Sequence, residues 1–137
     1  MTFRSALAWV LLAGVAVALG AGAVLQERQD LPKDEDGLWQ YALDKYNHGQ
    51  WQEGDRAFKK YLGDFPKGKN VEMAYYYLGY LHLYYSHRYD EARKAFQALA
   101  DKFPKGQYYW HARFAIGQSY QYQQLNDRTP RTNYFQE

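Results

Sequence analysis

Between Val71 and Gly106 the apolar positions fall at helical spacing in two stretches, separated by a short turn. This pattern predicts two amphipathic helices, near residues 71–85 and 90–102. A near copy lies on each side. Phe65-Pro66-Lys67-Gly68 returns 38 residues later as Phe103-Pro104-Lys105-Gly106. At the same offset Trp51, Ala57 and Phe58 return as Tyr89, Ala95 and Phe96, and Ala74, Leu78 and Gly79 return as Ala112, Ile116 and Gly117. A fixed period of this size marks a helical-repeat protein, in which each helix pair buries its apolar face against the next. Such an array favours a binding surface over an active site.

The period divides the chain into units of about 38–68, 71–106 and 108–137. In unit one, helix A is expected near 38–47 and helix B near 52–64. Asn47-His48-Gly49-Gln50 forms the turn, with Gly49 in a left-handed conformation. In unit two, Asp90 is the expected N-cap of helix B. In unit three, helix A is expected near 108–123. A turn at Leu125-Asn126-Asp127-Arg128 follows, and a short helix B starts at Thr129-Pro130. Pro66 and Pro104 end the B helices, because proline cannot continue a helix and restricts the residue before it. Gly79 and Gly117 let each A helix lie close to the small residues of its B helix. Ala92 and Ala95 are those residues in unit two. Phe58 and Phe96 fill the space between pairs. The expected fold is all-α: a right-handed superhelical array of about two and a half antiparallel helix pairs, preceded by an N-terminal apolar helix. The last B helix is too short to shield its partner, so part of the Phe114 to Tyr122 face should stay exposed.

The amino end has a different pattern. Ala6 to Leu25 holds only Ala, Val, Leu, Trp and Gly, after the single charge of Arg4. Twenty such residues suffice to cross a bilayer as a helix. They also read as a signal peptide, with Ala21-Gly22-Ala23 as a small-x-small cleavage site. Residues 1–25 are thus a signal peptide or a signal-anchor helix. Either reading puts the remainder on the periplasmic side of a membrane, because the positive end stays inside. Residues 26–37 read as a polar linker.

Composition narrows the chemistry. The 137 residues are 47% apolar and 19% aromatic, and 15 of them are tyrosine, a residue suited to half-buried faces and interfaces. Net charge is +2 with no basic arm, which argues against a nucleic-acid partner. With no cysteine, disulfides, thiol catalysis and zinc-thiolate sites are excluded. Among the four histidines, His82 and His87 are five apart, whereas two ligands on one helix face need three or four. Asp34-Glu35-Asp36-Gly37 lacks the spacing and the closing glutamate of a calcium loop and reads as solvated linker. Serine occurs three times, never in a nucleophile motif, and no glycine-rich phosphate loop is present. No enzyme, cofactor or metal is expected.

Leu78-Gly79, Ala92, Phe96 and Pro104 resemble the leucine, glycine, alanine, phenylalanine and proline positions of the tetratricopeptide repeat, provided that unit two has one extra residue in its turn. Unit one has Tyr41-Ala42 at the Leu-Gly pair and Gly54 at the alanine. Asn70 to Tyr76 is similar to the start of the second repeat in BamD-like outer-membrane assembly proteins, and CpoB-like periplasmic proteins share much of the pattern. This resemblance implies a face lined by the A helices: Trp39, Leu43 and Tyr46 in unit one; Met73, Tyr76, Tyr80 and Tyr84 in unit two; His111, Phe114, Gln118 and Tyr122 in unit three. Independently of it, Tyr76, Tyr80 and Tyr84 are four apart and share one helix face. They form either an aromatic groove for a peptide or partner helix, or ordinary packing between helices. The implied function is a non-enzymatic interaction scaffold in outer-membrane protein assembly or cell-envelope coordination. The alternative is a chaperone-like subunit of the secretion machinery, held to the membrane by an uncleaved leader.

Overall fold

The computed structural model describes residues 30–128. The chain divides between Leu31 and Pro32. Of the first part only Asp30 and Leu31 are described, so the fold below is that of the second. The expected leader at 1–25 and the helix expected from Thr129-Pro130 lie outside the described residues.

Five helices and no strand are present among the described residues: α1 (Glu35–Asn47), α2 (Trp51–Asp64), α3 (Val71–Tyr80), α4 (Tyr89–Lys102) and α5 (Tyr109–Arg128). None is long and apolar enough to cross a membrane. The helix α1 begins earlier than the linker reading allowed. The Asp34 carboxylate accepts from the Gly37 amide at 2.7 Å, and Glu35 and Asp36 stand in the first turn, where acidic groups suit the helix dipole. Gly49 takes the expected left-handed conformation, with φ of 72°. Asp90 is not the N-cap of α4. That helix starts at Tyr89, and Asp90 pairs with Arg93 within its first turn. The turn expected at 125–128 is helical, since no glycine or proline follows Gly117 until Pro130.

The helices pack as the repeat demands. Glu35 at the start of α1 reaches Tyr61 near the end of α2, while Gly54 near the start of α2 lies beside Lys45 and Tyr46, so the two run antiparallel. Phe58 and Phe96 are wholly buried, as are Ala57 and Ala92. A β-carbon on Gly79 would lie 2.6 Å from the Phe96 ring, so glycine is required there. Gly117 stands at the same repeat position but differs: among the described residues nothing comes within 4 Å of its missing β-carbon. The helix expected to approach it, from Thr129-Pro130, lies outside the described residues.

The two Phe-Pro-Lys-Gly loops are fixed alike. One Glu35 side-chain oxygen accepts from the Tyr61 hydroxyl at 2.7 Å and from the Lys69 amide at 2.9 Å. One Glu72 oxygen accepts from the Tyr108 amide at 2.8 Å. A β-carbon on Gly68 or Gly106 would collide with these carboxylates, which explains the glycine in both loops.

Unit two differs from unit one by a single insertion. Tyr41-Ala42 and Leu78-Gly79 are 37 residues apart, whereas Trp51 and Tyr89 are 38 apart. The added residue therefore lies after Gly79. There the chain leaves α-helical geometry for a π turn, Leu81–Tyr85, closed by a bond from the Ser86 amide to the Leu81 carbonyl at 3.0 Å. The helix A expected to run unbroken over 71–85 is thus α3 followed by this turn.

The two glycines make opposite predictions. Gly79→Ala should destabilise by about 1–3 kcal/mol, since the Phe96 ring has no room to move. Gly117→Ala should stabilise by about 0.5–1 kcal/mol, the ordinary gain of a helix interior. Urea unfolding of both variants measures the signs, and a stabilised Gly79→Ala would refute the close approach.

Candidate partner-binding face

Tyr76, Tyr80 and Tyr84 form a ladder along α3 and its π turn. Their ring centroids are 4.7 Å and 4.9 Å apart. From α5 and the residue before it, other groups meet the ladder. Tyr108 lies 4.4 Å from Tyr76, and Tyr122 lies 6.0 Å from Tyr84. The Tyr84 hydroxyl donates to Oε1 of Gln118 at 3.0 Å. Tyr80 turns its edge to Phe96, 6.1 Å away. All three rungs are half-buried. They pack against the core formed by Leu83, Ala92, Phe96, Leu99, Ala112 and Ala115 while keeping an edge in solvent.

The eleven residues implied by the resemblance have different surroundings. Tyr76, Tyr80, Tyr84, His111, Gln118 and Tyr122 come together between α3 and α5. Phe114, 68% exposed, stands on α5 one turn after the exposed His111. Trp39 is a correction. It is 6% exposed and packs on Phe58, Tyr61 and Tyr77, so it belongs to the core. The reason is steric: α1 is covered by both α2 and α3 at this level, which leaves a large indole no open side. Tyr46 sits in a second aromatic cluster with Trp51, Tyr77 and Tyr85. Leu43 and Met73 are half-buried.

Other residues were missed. Tyr108 extends the ladder, and its signal was its place two residues after the Phe-Pro-Lys-Gly loop. Trp110 is 76% exposed, one turn before Phe114. Tyr120 lies under the Arg93 guanidinium at 4.3 Å, and Arg93 also donates to Gln123 at 2.9 Å. Tyr85, on the π turn, stacks on Trp51 at 3.8 Å.

The face carries little charge. From Met73 to Leu81 no residue is charged, and Glu72 is engaged by the Tyr108 amide. Burial, followed by hydrogen bonding to Tyr80, pushes the Tyr76 hydroxyl well above the usual phenol range. Burial also raises Tyr84, with Tyr80 and Tyr122 adding to it. Tyr46 is pushed up to about 12, by burial first and Tyr85 next. Near neutral pH these rings are thus uncharged hydrogen-bonding groups. Such a surface suits apolar and hydrogen-bonding contacts rather than ionic ones. Among the described residues no group of three or more acidic or histidine side chains is arranged to hold a metal ion.

The raised hydroxyls set a pH dependence. A tyrosine held neutral by the fold contributes stability that is complete below the ordinary phenol value of about 10 and is lost as pH rises through the folded value. Spectrophotometric titration should show Tyr46, Tyr76 and Tyr84 ionising above the ordinary phenol value of about 10 and together with unfolding. A single ionisation step near the ordinary value, with the helices intact, would contradict this packing.

Comparison with known proteins matches residues 73–106 to the tetratricopeptide repeat. No curated protein matches the chain. The match begins in the first turn of α3 and ends at Gly106, at the end of the second Phe-Pro-Lys-Gly loop, so it falls on the helix pair of α3 and α4.

Proposed function

We propose that the helical repeats form a protein-docking module whose partner-binding face is the tyrosine ladder of α3 together with His111, Phe114, Gln118 and Tyr122 of α5. The observation that carries this reading is the uncharged, half-buried ladder with His111, Gln118 and Tyr122 of α5 against it. Large aromatic side chains with one edge in solvent are the usual anchors of protein interfaces. Tetratricopeptide repeats generally bind protein partners, which supports a scaffold role. The partner is a protein or peptide with apolar side chains and free hydrogen-bonding groups.

The setting we propose is the periplasmic side of a bacterial membrane, in outer-membrane protein assembly or cell-envelope coordination. The Ala6 to Leu25 run and the resemblance of Asn70 to Tyr76 support it. A second reading, a chaperone-like subunit held at the membrane near the secretion machinery, is favoured by the same twenty uncharged residues if they remain attached.

Photocrosslinking tests the docking face. A benzoylphenylalanine at Phe114 or His111 should capture a discrete partner in cells, while one at Gln97, exposed on α4, should not. Equal capture from all three positions would sink the reading. Export is tested by fusing alkaline phosphatase after Glu137. An active fusion is expected, and an inactive phosphatase beside a fluorescent cytoplasmic fusion would exclude the periplasm.

A further inference from the structure

The first two repeats meet around an aromatic stack. Tyr85 of the π turn lies 3.8 Å from Trp51, at the start of α2, with the rings nearly parallel, and stands perpendicular to Tyr46 at 6.1 Å. Between Tyr46 and Trp51, Gly49 makes the left-handed turn. Tyr46, Gly49 and Trp51 return 38 residues later as Tyr84, His87 and Tyr89. The second junction, where the π turn and the start of α4 meet the end of α5, therefore has the same frame.

That frame is only partly filled. Tyr122 of α5 stands 6.0 Å from Tyr84, close to the spacing of Tyr85 from Tyr46. The counterpart of the stack on Trp51 is missing. Among the described residues the ring nearest Tyr89 is that of His87, tilted and 6.1 Å away, and none stacks on it. Instead a pocket of about 300 Å³ lies between Leu83, Tyr84 and Tyr89 on one side and Tyr122, Leu125 and Asn126 of α5 on the other. Small-molecule sites run from about 300 to about 1,000 Å³, so a pocket at the lower edge suits a single side chain better than a cofactor. His87 also lines it, with φ of 52°, the left-handed region that Gly49 occupies at the matching position without strain. A side chain is thus held at the pocket where the turn itself would favour glycine.

Charge bears on what stands beside the occupant. His87, Tyr89 and Asn126 are shared with an adjoining pocket, which Arg88, Asp90, Glu91 and Asp127 also line. Glu91 pairs with Arg88 and Asp90 with Arg93, whereas Asp127 has no ion pair among the described residues. A neighbouring cation would be attracted there and a carboxylate repelled.

We propose that the pocket is an anchor socket of the docking face: it takes one aromatic side chain of a partner polypeptide, stacked on Tyr89 as Tyr85 is stacked on Trp51, with a lysine or arginine next to it. This rests on the ladder being the docking face, since Tyr84 and Tyr122 belong to both, and it gives the partner its chemistry.

Capped dipeptides supply the test. Acetyl-Phe-Lys-amide is titrated into the full chain carrying carbon-13 leucine methyl groups, and the Leu83 and Leu125 signals are followed. Both should move and saturate. Acetyl-Ala-Lys-amide should bind about tenfold or more weaker, because it has no ring to bury. Acetyl-Phe-Glu-amide should bind about two- to fivefold weaker, the scale of one exposed ion pair. Asn126→Trp, at an exposed position, should fill the pocket and abolish the shifts, and Asp127→Lys should cancel the preference for lysine. Unmoved Leu83 signals, or unchanged binding by Asn126→Trp, would overturn the socket. Equal binding of the Phe-Lys and Phe-Glu peptides would remove the basic neighbour. Shifts that emerge only after Tyr134→Ala and Phe135→Ala would mean that the chain's own aromatic residues fill the pocket, which also overturns a partner there. Absence of Phe114 crosslinks in cells, beside intact binding of the Phe-Lys peptide, would instead defeat the docking reading and leave the pocket's choice of an aromatic occupant standing.

Discussion

The contact on which the repeat region depends is the Phe96 ring against the bare backbone of Gly79. A β-carbon there would lie 2.6 Å from the ring, so the two helices can approach this closely only through glycine. Buried Ala92 and Ala95 keep the facing side of α4 equally thin. With the A and B helices drawn together, the core of unit two sets one phenylalanine among leucines and alanines. Large side chains on the rest of α3 must then pack elsewhere, and Tyr76, Tyr80 and Tyr84 do so in the gap toward α5.

The ladder packs between helices and also reaches the surface. Each ring buries its inner edge against core residues and keeps its outer edge wet. Tyrosine suits that position because its body is apolar and its hydroxyl is not. The same residues that hold α3 and α5 in register thus also keep an edge at the surface.

Much of this was legible in the sequence where the chemistry is local and steric. Phe96, Gly79, Pro66 and Pro104 were read correctly because ring size, a missing β-carbon and a missing amide act within one helix pair. Gly117 has the same letter and repeat position, but the helix expected beside it lies outside the described residues. Trp39 was placed on the surface because the mapping follows helix phase and does not see two helices covering one face. The π turn was visible only indirectly, as a one-residue disagreement between the offsets of the A and B helices, and its consequence for Tyr85 needed coordinates. Glu35 was assigned to a linker because a glutamate that bonds to a loop 34 residues on leaves no local pattern.

The two glutamate clamps have a consequence for how such a chain evolves. Glu35 and Glu72 grip the main chain, through the amides of Lys69 and Tyr108, and not the side chains found there. A lysine in one loop and a tyrosine in the other serve equally, because every residue except proline offers the same donor. The junction between modules therefore places almost no demand on the first letters of the module that follows. Duplication, loss or exchange of a whole helix pair can leave the fastening intact, and the aromatic residues beyond it are free to diverge toward new partners.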